Sequence, residues 1–512
     1  MVRRRRPLGA LVRVWVLLVA VAGSAQPVAA QGDGRIGVNP AVTQVRDAET
    51  TTTTTNSTLS ATAPSGVPTS LSPGPVAPVP VVDATAASTQ VPVVSPAPQS
   101  TLAPANSVPV AVPTTSVSPV LPSPTTKVPK DAPPARSVAE LRQRIDAILD
   151  GVPGVAASVS IDGLGTVYDR NGDRSAIPAS TQKIYTIGAV LLRFGGDKRF
   201  VTDIRSSVLV EVGGLLPGDL VIRASGDPSF SSAGVNALAD AVLRSGVREI
   251  TGDLVVDESH FDSRRANEGW KPSFIPGEVG SLSAFTVNGN HSGGKVTRDP
   301  AVANLGLVRA ALTKRKIVIR GTDRTGRLPL GGPVLGSVSS APLRDLAAYA
   351  MKKSDNTYAE LLLKELGSAV GNGSAVGGIE LVRQQFAIFG VPAPVMADGS
   401  GLSSFNRSTP AQQVAWLTKL QGSASAQDFR ASLPGACVDG TMKNRFCKTA
   451  GAGMIQAKTG TLDNITALSG YATMSSGKDA VFSFVGNGLR STSKARVAID
   501  QAVLQVVMAA LP

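Results

Sequence analysis

Histidine and cysteine are almost missing from this 512-residue chain, which has two of each: His260, His291, Cys437 and Cys447. That leaves too few ligands for a zinc site built on His and Cys. A histidine-based triad would have to use one of just two rings. Aromatics are scarce at 4%, and none occurs between Trp15 and Tyr168. Eighteen of the 36 prolines fall between Pro64 and Pro134, inside that same interval. A stretch without large apolar side chains buries too little surface to offset chain entropy, so it reads as disordered. The folded part is expected to begin near residue 136 and to hold about 375 residues. Acidic residues are absent from the first 30 positions, where Arg3, Arg4, Arg5, Arg6 and Arg13 lie. Without those five, 45 basic residues stand against 37 acidic ones. Such an excess belongs first to a solvated surface, and suits an anionic partner such as a cell wall or phospholipid head groups. A basic stripe interleaved with aromatics is lacking, so nucleic acid is not expected as a partner.

What is present divides the chain into segments. Residues 1–30 have the anatomy of a secretory signal: a basic start, an apolar run from Val14 to Ala22, and a small-residue site at Val28-Ala29-Ala30. The apolar run is shorter than the roughly 20 residues of a spanning helix. Export is expected, to a periplasmic or cell-wall location, with cleavage of the signal favoured. Retention of the signal as a membrane anchor is the alternative. Residues 31–135 are rich in Thr, Ser, Pro, Val and Ala, with a run from Thr50 to Thr55. This composition favours extended, solvated conformers and gives a coil spanning roughly 55 Å, either a tether through the envelope or a plain spacer. Gly32, Gly34 and Gly37 match a dinucleotide fingerprint by letters, but no strand precedes them and no helix follows. Exported chains meet oxidising conditions, so Cys437 and Cys447 are expected to be bridged, two free thiols being the alternative.

In the folded part, Ser137-Val138-Ala139-Glu140 forms a capping box, and Val138, Leu141, Ile145 and Ile148 share one helical face, predicting a helix over 138–149. Alternating Ala157, Val159 and Ile161, then Val167, read as a hairpin turning at Asp162-Gly163. Short β-type runs recur at 455–458, 467–473 and 480–486, followed by a helix from about 492 to 510. The two ends thus predict a five-stranded, mostly antiparallel sheet with a terminal helix on one face. Helices are predicted at 342–352, 357–366 and 410–420. Between them, residues 205–330 show short Val/Ile/Leu runs broken by Gly, Pro and Asp, which predict a β-rich insert domain. The catalytic domain is accordingly expected over 136–204 and 331–512, an α+β arrangement.

Three motifs occur in order: Ser180-Thr181-Gln182-Lys183, Ser354-Asp355-Asn356 and Lys458-Thr459-Gly460. Ser180 opens an apolar segment that should be helical, and i and i+3 share a helix face, so Lys183 can reach the Ser180 hydroxyl. A buried lysine beside other cations loses proton affinity and can serve as base. This set resembles the penicillin-binding proteins and serine β-lactamases. More narrowly, the chain is similar to the class C low-molecular-mass penicillin-binding proteins, D-alanyl-D-alanine carboxypeptidase/endopeptidases. Gly226-Asp227-Pro228-Ser229-Phe230, Gly269-Trp270, Asp398-Gly399-Ser400-Gly401-Leu402-Ser403 and Asp439-Gly440-Thr441-Met442 support the narrower match, as does the long gap between Ser180 and Ser354.

The resemblance implies a penicillin-binding, β-lactamase-like transpeptidase fold and acyl transfer on peptidoglycan stem peptides, with β-lactam antibiotics as acylating inhibitors. Ser180 would be the nucleophile, Lys183 its base, and Ser354 the relay to the leaving amine, with Lys458 beside it. Asn356, Lys458, Thr459 and Gly460 would hold substrate, and the N–H groups of Ser180 and Thr461 would form an oxyanion hole. No metal or organic cofactor has a role. Asp398, Ser400 and Ser403 line the cleft or simply form a turn. Asp439 and Arg445 shape the entrance or form a surface ion pair. Asp355 supports its loop, and His260 and His291 are structural. The rival readings are a serine β-lactamase, for which a Glu-x-x-Leu-Asn deacylation motif is lacking between the second and third motifs, and an inactive wall-binding scaffold, against which the intact motifs count.

Overall fold

A computed structural model describes residues 133–291, 297, 299–327 and 332–512. The secretory signal, the Gly32–Gly37 motif and all but the last three linker residues lie outside them. Helix α1 (Val138–Leu149) begins where the Ser137 hydroxyl accepts the Glu140 N–H, and it buries Leu141, Ile145 and Leu149. The hairpin β1 (Val155–Ile161) and β2 (Gly165–Arg170) follows, then a 3-10 turn at Ala179–Gln182 that runs into α2 (Lys183–Phe194).

The insert contributes β3 (Val201–Ser206), β4 (Leu215–Leu216), β5 (Leu220–Arg223), α3 (Ser232–Arg244), β6 (Glu249–Ile250), β7 (Leu254–Asp257), the short α4 (Phe274–Gly277), α5 (Pro300–Lys314), β8 (Val318–Ile319), β9 (Asp323–Thr325) and β10 (Val334–Ser339). Its main sheet has the order β10-β3-β5-β7-β9, and β5, β7 and β9 run parallel. Parallel neighbours need a crossover, which α3 and α5 supply. The β-rich reading captures the strands and passes over these two helices. Their signal is present, since Val235, Leu238, Ala239 and Val242 are buried at helical spacing. It is drowned by the Gly, Pro and Asp residues on either side. The limits expected for the insert, 205–330, fall inside β3 and ahead of β10, both strands of this one sheet.

The chain then builds α6 (Leu343–Lys353), α7 (Asn356–Ser368), α8 (Ala375–Ile388), α9 (Pro410–Gln421), α10 (Ala426–Ser432), β11 (Ile455–Leu462), β12 (Ile465–Thr473), β13 (Asp479–Gly486) and α11 (Thr492–Met508). The predicted five-stranded sheet forms with the order β11-β12-β13-β1-β2, and its neighbours are all antiparallel. Pairing of Val155 with Gly486 through Ile161 with Ala480 joins the two ends of the folded chain. Side chains alternate across β13: Phe482 and Phe484 pack with Leu141, Ile499 and Val503 of the two terminal helices, while Val481 packs with Trp416 and Leu417 on the other face. Both faces are therefore covered.

One helix ties the insert to the rest. Along α7, the buried side chains of Thr357, Glu360, Lys364 and Glu365 recur at helical spacing and face insert residues. The Thr357 hydroxyl accepts the Gly280 N–H at 2.9 Å, and Glu360 accepts from Asn267 Nδ2 at 2.7 Å. Lys364 pairs with Asp262, and Glu365 meets His260 Nε2 at 2.6 Å. Cys437 and Cys447 are joined by a disulfide. Among the described residues, no helix is long and apolar enough to cross a membrane.

Candidate active site

The three sequence motifs meet in one cleft of about 810 Å³, lined by Ser180, Ser354, Asn356, Thr459 and Thr461, with Gly269, Lys271 and Glu278 contributed by the insert. Ser180 sits in the 3-10 turn and Lys183 opens α2 one turn on. Ala179, just before the nucleophile candidate, has φ +49, a left-handed backbone that a non-glycine residue adopts only under constraint. The constraint is visible: a Cβ on Gly401 would lie 2.0 Å from the Ala179 carbonyl oxygen, so this glycine lets the loop press directly on the turn. Behind it, Gly188 leaves room for Trp416 and Leu420, which seat α9 against α2. Gln413 of α9 donates to Thr181 Oγ1 at 2.9 Å and accepts from Ser469 and Ser483 of the sheet, locking the turn to the strands.

Lys183 is fully buried, and its Nζ has three partners: Ser180 Oγ at 3.3 Å, Asn356 Oδ1 at 2.7 Å and the Ser400 carbonyl at 2.7 Å. The last two can only accept. A neutral amine carries two hydrogens and one lone pair, so these carbonyl oxygens take both hydrogens and turn the lone pair to Ser180. Burial lowers the Lys183 ammonium to about 8, against the opposing pull of the carboxylates of Asp398, Glu360, Asp355 and Glu278. Burial, not a neighbouring cation, is thus the main reason for its reduced basicity.

On the facing side, Ser354 ends α6 in a left-handed conformation, φ +57, and Asp355 caps α7 by accepting the Tyr358 N–H at 2.9 Å. The cap places Asn356 at the start of the helix, and its Nδ2 donates to the Glu278 carbonyl at 2.9 Å. Lys458 of β11 is buried and donates to Ser354 Oγ and to the Thr459 carbonyl, both at 2.9 Å. Burial, and then the charge of Lys183, hold it well below the usual lysine range. Thr459 Oγ1 donates to Thr441 Oγ1 at 2.8 Å. Gly460 departs from expectation, because its bare face looks inward: a Cβ there would come within 2.8 Å of the Pro178 carbonyl and 3.3 Å of Ala179 Cβ. Its smallness admits the segment carrying Ser180.

The Asp398–Ser403 loop is more than a turn, since its Ser400 carbonyl touches Lys183. Asp398 is buried and accepts from the N–H groups of Gly401 and Ser403, from Asn406 Nδ2 and from Trp270 Nε1. Glu360, which sequence reasoning missed, lies beneath the loop and accepts the Gly399 and Ser400 amides. No local pattern marks it, because the amides it accepts lie 39 and 40 residues on. Asp439 and Arg445 do not pair with each other: Asp439 takes Lys352 and Arg445 takes Asp500. His260 pairs with Glu365, and His291 meets the Pro276 carbonyl.

Known proteins resemble this chain in sequence and fold. The sequence matches the D-Ala-D-Ala carboxypeptidase 3 (S13) family over residues 141–290 and 284–508. The chain belongs to this family. As a member of the S13 family it is a serine-type hydrolase of the penicillin-binding class. It is 31% identical over 462 residues to a D-alanyl-D-alanine carboxypeptidase of Actinomadura sp. strain R39, covering 73% of this chain and 85% of that protein. It is 27% identical over 366 residues to carboxypeptidase DacB of Mycolicibacterium smegmatis, covering 64% and 75%. The crystal structure of penicillin-binding protein 4 (dacB) from Haemophilus influenzae superimposes with a TM-score of 0.64 at 23% identity, covering 71% of this chain and 98% of that one. That likeness establishes the penicillin-binding fold expected for an S13 member.

Proposed function

We propose that this chain is a D-alanyl-D-alanine carboxypeptidase/endopeptidase that processes peptidoglycan stem peptides through an acyl-enzyme on Ser180. The observation that carries this reading is the Lys183 amine at 3.3 Å from the Ser180 hydroxyl, with its other contacts made to two carbonyl oxygens. Ser180 Oγ attacks the carbonyl carbon of the penultimate D-Ala while Lys183 takes the hydroxyl proton. The C–N bond then breaks, and Ser354, hydrogen-bonded to Lys458, delivers a proton to the leaving amine. Water hydrolyses the ester and restores Ser180. Asn356 holds Lys183 through Oδ1 and keeps one amide N–H for substrate, since Nδ2 carries two hydrogens and one goes to Glu278. Thr459 and Lys458 meet the substrate carboxylate, Gly460 admits the Ser180 segment, and Thr461 with Ser180 supplies oxyanion donors. β-Lactams acylate the same serine.

In this reading the catalytic domain lies on either side of the insert, whose main sheet begins with β3 and ends with β10. The protein is exported through residues 1–30 to the periplasm or cell wall, where residues 31–135 act as a tether. An uncleaved signal would fix it to the membrane instead. Incubation with fluorescent penicillin tests the core of the proposal. A lasting label, abolished by Ser180→Ala, is the expected result. Rapid loss of label would point to a β-lactamase, and an unlabelled wild type to a scaffold. Defined monomeric and dimeric muropeptides then separate trimming of terminal D-Ala from cutting of cross-links.

A further inference from the structure

Glu360 takes no part in the steps above, yet it is completely buried one peptide away from the base. Its Oε1 accepts the Ser400 N–H at 2.7 Å and the Gly399 N–H at 3.1 Å, and its Oε2 accepts Asn267 Nδ2 of the insert at 2.7 Å. The Ser400 residue that gives its amide to Glu360 gives its carbonyl to Lys183 Nζ. The far end of the same loop is held separately by Asp398, through Gly401, Ser403 and Trp270.

We propose that Glu360, anchored by Asn267, is a positioning residue for the Lys183 base: it holds the Gly399–Ser400 turn so that the Ser400 carbonyl takes one hydrogen of the amine and leaves its lone pair to Ser180. This rests on the acyl-serine reading above. If the turn relaxed, the amine would lose one of its two obligate acceptors and could rotate its lone pair away from the hydroxyl, so catalysis would fall while the cleft stayed open. Glu360 also acts by charge. The charged groups facing Lys183 are Asp398 from the loop, Glu360 and Asp355 from α7, Glu278 from the insert and Lys458 from β11. Those facing Glu360 are Asp398, Lys183 and, along its own helix, Lys364 with Asp262 behind it. Burial and then Asp398 raise the proton affinity of Glu360 to about 8, against hydrogen bonds from Ser400 and Gly399 that favour the anion. Glu360 helps to hold the proton on Lys183, and the Lys183 charge in turn adds to burial in lowering the proton affinity of Lys458. To the extent that Glu360 is ionised, removing its charge lets Lys183 lose its proton at lower pH.

The test is the rate of acylation of the full chain by fluorescent penicillin from pH 5.5 to 9.5, for wild type, Glu360→Gln, Glu360→Asp and Asn267→Ala. Glu360→Gln sets N–H groups against N–H donors and removes the charge. Its plateau rate is expected to fall at least about tenfold and the midpoint of its acid limb to move down by about 0.5 to 1 in pH. Glu360→Asp keeps the charge with shorter reach, so its plateau falls while the midpoint stays near that of wild type. Asn267→Ala should show a loss of a few fold and a smaller downward movement. An unchanged profile for Glu360→Gln, or a lowered plateau with an unmoved midpoint, overturns the proposal. Should thermal melting show Glu360→Gln to be unfolded, the profile of Asn267→Ala decides by the same criterion. Absence of any Ser180-dependent label on the wild type would sink the acyl-serine reading itself, which is a separate outcome.

Discussion

The two walls of the cleft each carry a buried lysine, and the two lysines live in opposite surroundings. On the α2 and α7 side, Lys183 is encircled by carboxylates, and its nearest partners are two carbonyl oxygens and one hydroxyl. On the β11 side, Lys458 meets a hydroxyl and a carbonyl, and the charge acting on it is that of Lys183 itself. Burial alone would drive both amines neutral. The acids around Lys183 stop that fall near the pH at which an enzyme works, where a base must exchange its proton readily. At Lys458 the Lys183 charge adds to the effect of burial, and the side chain suits a fixed place in a hydrogen-bonded pair with Ser354. Identical side chains at equal depth are thus assigned different work by second neighbours.

Several measurements break or sharpen that contrast. Replacing Lys183 by Met should cut penicillin acylation by about 10³-fold, a loss in the range of a positioned general base, with Lys458→Met costing about tenfold less. Equal losses would erase the distinction between the walls. Next in size is Gly460→Ala, whose new methyl would push on Pro178 and Ala179 and shift Ser180. Acylation should drop about 10²-fold with stability little changed, as expected for misplacement of a reacting atom. The pH profile comes third. Lys183 must be neutral to accept a proton, so with its ammonium at about 8 the acylation rate should fall about tenfold for each pH unit below that value and level off above it. A flat profile from pH 6 to 9 would remove Lys183 from the role of base. Smallest is Lys271→Ala, which deletes the 3.0 Å ion pair to Asp463 across the cleft rim. With both side chains mostly exposed, a change in acylation or melting beyond the equivalent of about 1 kcal/mol would mean that the rim matters more than an exposed pair should.

Much of this was legible in the sequence, because the informative patterns are short. Ser180 with Lys183, the cap at Ser137 and the alternating strands at either end are set by spacings of two to four residues. The β13–β1 pairing followed from strands left at both ends of the folded part. What escaped was set by distant partners. Nothing local marks Glu360 as a ligand of the Gly399 and Ser400 amides, 39 and 40 residues on. Gly460 reads as a ligand-facing glycine until Pro178 is seen across from it. The insert concealed α3 and α5 because Gly, Pro and Asp residues flank them and their neighbouring strands are only two to six residues long.

The polar stripe on α7 also bears on how such a protein can be shortened. Splicing β3 to β10 and discarding what lies between would leave Thr357, Glu360 and Lys364 facing emptied space, with Gly280, Asn267 and Asp262 gone. Each orphaned group would then have to rehydrate or find a new companion, at a cost of several kcal/mol for the charges. A minimal version of this enzyme therefore requires a rewritten helix as well as a rejoined chain, and the excised piece is less an ornament than the other half of a zip.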